Sequence, residues 1–168
     1  MAASMLTQTE LKEELHYNPE TGLFSRIVDK RYGRHGVEAG GINSKGYRVI
    51  KIGIKAYKAH RLAWFYIKGE WPSDQIDHAN GIKEDNRYAN LREANNSQNM
   101  QNKGANKKNI SGLKGVSHDP RRIKNKWMAR ASINGDVKSL GYFKTPELAA
   151  NAYKLFAKNN HGEFYKES

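Results

Sequence analysis

The chain has 168 residues and no cysteine, with 29 Lys and Arg against 17 Asp and Glu, a net charge of +12. That length allows one or two small domains, and the missing thiols exclude disulfides and thiolate zinc sites. A pI near 9.8 and a mean hydropathy of −0.87 point to nucleic acid as partner, with plain solubilisation by lysine as the bland alternative, and no apolar run reaches the roughly 20 residues a membrane span needs.

The N-terminal MAASMLTQTE lacks the basic-then-apolar order of a secretion signal, so a reducing cytoplasmic setting is expected. Thr7 and Glu10 form a capping-box pattern, with Leu6 and Leu11 as a hydrophobic staple, which predicts a first helix. Asn18-Pro19-Glu20-Thr21-Gly22 reads as a turn and Leu23–Ile27 as a strand. Residues 29–46 are glycine-rich and basic without periodicity, which predicts a loop. Tyr47–Ile54 is β-branched and predicts a strand, and Ala59–Lys68 a short buried helix ended by Gly69 and Pro72. Strands at Gln75–His78 and Asn90–Glu93, joined by a glycine-containing loop, lead to a helix at Asn96–Lys103. Residues 101–110 carry almost nothing apolar and read as a basic linker. Its Lys103, Lys107 and Lys108 lie along phosphates or form a solvated tether. Beyond it, Gly115–Ser117, Trp127–Ile133 and Lys138–Phe143 read as strands, the last two joined by an Asn134-Gly135 turn. Thr145 and Pro146 then open a helix whose apolar face is Leu148, Ala149, Ala152, Leu155 and Phe156.

The chemistry concentrates in Gln75–Asn102, QIDHANGIKEDNRYANLREANNSQNMQN. Hydrolysis of a phosphodiester needs a base for water, neutralisation of charge on the phosphoryl and leaving oxygens, and in-line geometry. His78 suits the first demand, since a free imidazole titrates near ~6.5. Asp77 and Asn99 supply oxygen donors for the second, which favours one hard cation, Mg²⁺ or Mn²⁺, over zinc. Neighbours on a regular strand face opposite sides, so aiming Asp77 and His78 at one phosphate requires a twist or bulge there. His60 is expected as a packed helix residue, and His16, His118 and His161 carry no role.

These residues resemble the HNH nuclease family, with its ββα-metal fold, and within it the phage and intron-encoded homing endonucleases. The preceding GYRVIKIGIKAYKAHRLAWFYIKGEWP is similar as well. The resemblance implies Asp77 and Asn99 as metal ligands and His78 as general base. By it, Asn90 fixes the loop and orients His78, while Asn86 braces the same loop. It further implies 5′-phosphate and 3′-hydroxyl products and a bacterial host cell. Asn99 stands where many HNH proteins have histidine, which moves the expected metal away from zinc or nickel.

The last segment crowds its strands and turns with Lys114, Arg121, Arg122, Lys124, Lys126, Arg130 and Lys138, a positive sheet suited to the major groove. KGVS, KWMARASI, SLGYFKTPELAANAY and the closing HG resemble the ethylene-response-factor (AP-two) DNA-binding domain. By that resemblance Lys114, Ser117, Arg130, Ser132, Ser139 and Tyr142 face DNA, and Trp127 is core. The expectation is an α+β protein: a ββα-metal nuclease domain over 1–100, a linker over 101–110, and over 111–168 a three-stranded antiparallel sheet packed on one helix. It acts on double-stranded DNA as a monomer or homodimer. The rival is a DNA-binding regulator with a decayed nuclease domain.

Overall fold

The computed structural model describes residues 6–28, 36–105, 109–133 and 135–165. Lys107, Lys108 and Asn134 lie outside the described residues. The chain divides into two units, Met1–Glu93 and Ala94–Ser168. Among the described residues the architecture is α+β, with four α-helices and several small antiparallel sheets.

In the first unit, α1 (Gln8–Glu14) starts as its capping residues dictate. Glu10 N–H donates to Thr7 Oγ1 at 3.2 Å, and Thr7 N–H donates to the Glu10 carboxylate at 2.8 Å. The chain passes directly into β1 (Leu15–Asn18), which pairs antiparallel with β2 (Leu23–Arg26). The sequence reading does not include β1. A strand that abuts a helix with no intervening turn, and buries only Leu15 and Tyr17, carries too little alternation to be seen. The Asn18–Gly22 turn forms as expected, with Asn18 Oδ1 accepting from the N–H groups of Glu20 and Thr21.

β3 (Gly41–Ile42), β4 (Arg48–Ile52) and β5 (Lys55–Lys58) make an antiparallel sheet in that order. β3 lies in the stretch expected as loop. The single strand expected over Tyr47–Ile54 ends at Ile52, because Gly53 turns the chain back into β5. α2 (Ala59–Lys68) has its expected bounds, closed by Gly69 in the left-handed region at φ 79°. β6 (Gln75–His78) pairs with β7 (Leu91–Ala94). Leu11, Leu15, Phe24, Ile50, Leu62 and Phe65 form the core, joined by Ile76 from β6 and Leu91 from β7.

In the second unit, α3 (Asn96–Asn102) is opened by a capping box between Asn95 and Gln98. Gln101 and Asn102, at the head of the basic stretch, close this helix and are buried. β8 (Val116–His118), β9 (Trp127–Ile133) and β10 (Asp136–Phe143) form an antiparallel sheet in the order β10-β9-β8, with a bulge between Ser139 and Gly141. α4 (Pro146–Asn160) packs on it, capped by Thr145. Trp127 is half-buried against the core.

The inward face of α4 differs from the expected one. Ala149, Ala150, Tyr153 and Ala157 are buried, whereas Leu148 is 49% exposed and Leu155 66%. The sheet approaches too closely for leucines: Gly115 presses so near the Tyr153 ring that an added Cβ would stand 2.1 Å from it. Ala152 and Phe156 of the expected face pack partly buried beside these residues.

Candidate active site

β6 presents Ile76, Asp77 and His78, all buried, as a strand covered on both faces. It runs without interruption through Asp77 and His78. The chain reverses only afterwards, where Gly81 N–H donates to the His78 carbonyl at 2.8 Å. The irregularity thus follows the pair instead of separating it, and the two side chains meet different partners.

His78 is 5% exposed. Its Nε2 lies 3.2 Å from Asn86 Oδ1. Asn86 is held the other way round by its own Nδ2, which donates to the Glu84 carbonyl at 3.2 Å. With its oxygen facing the ring, Asn86 places the imidazole proton on Nε2 and the basic lone pair on Nδ1. His60 meets the same ring edge to face, at 5.0 Å between centroids and 86° between planes, and Tyr47 lies 6.2 Å away. Lysines 58 and 83 each stand 4.8 Å from the centre of the Tyr47 ring.

Burial lowers the His78 pKa, the Asn86 hydrogen bond and the carboxylates of Asp77 and Asp85 oppose this, and Lys83 adds to the lowering. The balance keeps the ring neutral at pH 7, the form a base requires. His60 is pushed down to about 3, chiefly by burial and then by His78 itself.

Asn90 serves the loop. Its Oδ1 accepts from Asn80 N–H at 3.0 Å, and its Nδ2 donates to the Asp85 carbonyl at 2.7 Å and to Asn80 Oδ1 at 3.1 Å. Asn86, the residue the family resemblance made a brace, accepts a hydrogen bond from the imidazole. Asp85 ties the far side together: it accepts from Asn80 Nδ2 at 2.6 Å and pairs with Arg87, whose guanidinium holds its carboxyl down at about 2. Outside the loop, Tyr17 Oη donates to the Asn86 carbonyl at 2.7 Å and Tyr88 N–H to the Pro19 carbonyl at 3.1 Å. Gly22, at φ 75°, lies against the Asn86–Arg87 backbone, where a Cβ would meet Arg87 N at 2.4 Å. The β1–β2 hairpin therefore fixes the peptide that carries Asn86.

Asp77 is ion-paired with Arg92 of β7: Nε and Nη2 donate to Oδ2 at 3.1 and 3.0 Å. Arg92 is absent from the sequence reading. The signal for it is the strand pairing. Ala79 N–H donates to the Asn90 carbonyl, and counting back from Ala79 and on from Asn90 sets 77 beside 92. Asn99 lies half-buried on α3 in the second unit. Among the described residues no group of three or more His, Cys, Asp or Glu is placed to hold a metal. The donor chemistry of Asp77 and Asn99, a carboxylate and an amide oxygen, fits a hard cation. Any ion held by Asp77 would compete for that carboxylate with the Arg92 guanidinium.

Of the residues expected at DNA, Lys103, Arg121, Arg122, Lys124, Lys126, Arg130 and Lys138 are exposed, and Lys114, Ser117 and Tyr142 half-buried. Arg121 pairs with Asp119 at 3.0 Å, and Arg122 stacks 4.0 Å over Tyr142. Cross-strand register puts Ser139 opposite Arg130 and Val137 opposite Ser132, on the face away from α4. Lys138 is opposite Ala131 and leaves from the other face. No described helix is long and apolar enough to cross a membrane.

Comparison with curated proteins and with solved structures gave no match. Residues 57–101, which span β6, the asparagine loop, β7 and most of α3, match the family model of the HNH endonucleases.

Proposed function

We propose that this chain is a metal-dependent DNA endonuclease of the homing type, from a phage or mobile element. The observation that carries the reading is the buried His78, hydrogen-bonded at Nε2 to Asn86 within the segment that matches the HNH family model. In this mechanism His78 Nδ1 takes a proton from water as the water oxygen attacks the scissile phosphorus, the bond from phosphorus to the 3′ oxygen breaks, and that oxygen takes a proton from solvent. Asn86 keeps the ring in the tautomer that can do so, and Asn90 keeps the loop in shape. Asp77 and Asn99 would hold one Mg²⁺ or Mn²⁺, which supplies charge neutralisation at the phosphoryl and leaving oxygens. The products are 5′-phosphate and 3′-hydroxyl ends. The AP-two-like sheet and the lysines of residues 103–108 position duplex DNA. One set of groups cuts one strand per engagement, so a double-strand break requires a homodimer or a second binding event.

Plasmid nicking in Mg²⁺ tests this. His78→Ala is expected to lower the nicking rate by about 10²–10⁴-fold, the usual weight of a general base, while leaving DNA retention in a gel unchanged. Equal nicking by the two proteins removes the assignment. One observation favours a second reading, a DNA-binding regulator with a decayed nuclease domain: Arg92 already neutralises Asp77. On that reading neither Mg²⁺ nor Mn²⁺ elicits cleavage, yet binding still weakens steeply with salt.

A further inference from the structure

Two buried polar groups of the second unit have no hydrogen-bond partner among the described residues: the Ser97 hydroxyl, and both ring nitrogens of His161. His161 is 5% exposed, between the rings of Tyr153 and Phe156. The Ser132 backbone comes near its ring without meeting hydrogen-bond geometry. Leaving such groups unmet is unfavourable, so a position that retains them invites a ligand. Both line one cavity of about 260 Å³, together with Met100, Val137, Tyr153 and Lys114. A second depression of about 340 Å³ adjoins it, walled by Gly104, Asn109 and Ser117. The two share Lys114, Gly115 and Arg130.

The chemistry of the walls selects the guest. The inner cavity is mainly apolar and smaller than the roughly 300–1,000 Å³ of sites for drug-sized molecules, which suits a single planar ring system. Burial lowers His161, so its neutral ring offers one donor and one acceptor, and Ser97 offers both. A nucleobase edge carries donors and acceptors side by side. Arg130 is exposed, and Lys114 is pushed down to about 8, so both are cationic at pH 7. They stand between the two hollows, where an anionic group attached to the ring would lie. We infer that the second unit binds one nucleotide, its base against Ser97 and His161 and its phosphate against Lys114 and Arg130. The site stands whether or not the first unit cuts DNA. The nucleotide has two possible sources, a free monophosphate or a residue turned out of a DNA strand.

Calorimetric titration of the full chain with each of the four deoxynucleoside 5′-monophosphates tests the inference. At least one is expected to bind at about 1 mM or tighter. Ser97→Ala and His161→Phe are each expected to weaken it by about tenfold or more, the effect of leaving a base edge unpaired. Ser97→Ala deletes a single oxygen atom, so it carries the test if His161→Phe does not fold. Arg130→Gln weakens all four alike. No binding by any of the four, or undiminished binding by both Ser97→Ala and His161→Phe, overturns the site. A duplex containing 2-aminopurine separates the sources. A fluorescence rise with the wild type that His161→Phe lacks identifies a strand nucleotide, whereas binding of the free monophosphate with no rise identifies the free form.

Discussion

The two units treat buried polar groups in opposite ways. Around β6 the described side chains are met: His78 by Asn86, Asn86 by Glu84, Asn90 by Asn80 and Asp85, and Asp77 by Arg92. In the second unit, the Ser97 hydroxyl and both ring nitrogens of His161 are buried and unmet among the described residues. A satisfied network holds reacting groups in one geometry before substrate arrives, which is what catalysis needs. Unmet groups beside a cavity instead reserve their bonding capacity for a guest. The difference separates a site built to position from a site built to receive.

The largest effect that would break this comparison lies at Gly22. A left-handed residue with a side chain costs about 1–2 kcal/mol in the backbone alone. Here the added carbon also meets main-chain atoms of Asn86 and Arg87, which cannot swing aside, and such overpacking adds roughly 1–3 kcal/mol. Gly22→Ala is therefore expected to lower the melting temperature and to disturb the His78 ring resonances, without changing nucleotide affinity in the second unit. If His78 keeps its chemical shifts, the hairpin does not position the loop.

A smaller effect comes from acid. Burial pushes His60 down to about 3 and lowers His78. The unfolded chain protonates both near ~6.5. Between that pH and about 3 it binds protons that the folded form refuses, so stability falls as the pH drops through this window, by up to roughly 1.4 kcal/mol per pH unit for His60. His60→Phe keeps a ring in place and removes its titration. The acid unfolding midpoint of this variant, followed by circular dichroism, should move to lower pH. An unmoved midpoint means that His60 is not the proton acceptor that opens the unit.

The smallest effect sharpens the packing of α4. Leu155→Lys is expected to change stability by less than about 0.5 kcal/mol, as for an ordinary surface position. A loss of several kcal/mol would return Leu155 to the core.

What could be read from the chain alone was local and chemical. Thr7 with Glu10, Thr145 with Pro146, and Gly69 after Lys68 mark helix ends because caps act within one turn of their own residues. Gln75–His78 stood out as a strand by composition, and His78 and the asparagines stood out by their chemistry. The contact between Asn86 and His78 was hidden because it depends on how the seven residues between them fold back. Arg92 was hidden because nothing in the chain alone sets it beside Asp77; that follows from strand register. On α4 periodicity placed Ala149, Ala152 and Phe156 rightly at the sheet but added Leu148 and Leu155, which are exposed, while the close approach of Gly115 sets Tyr153 into the interface. β1 and β3 were too short to show a period, and β5, four residues between the Gly53 turn and α2, lies beyond the strand expected over Tyr47–Ile54.

The hydroxyl of Tyr17 and the turn at Gly22 both reach the peptide of Asn86 from a hairpin more than 60 residues upstream. A segment trimmed to residues 57–101 would keep His78, Asn86 and Asn90 while losing the scaffold that aligns them, along with Leu11, Leu15, Phe24 and Ile50 from beneath. For grafting or for building a minimal cutter, the transferable module therefore starts near Leu6. Swapping the matched stretch alone into another host would carry the reagents without the jig.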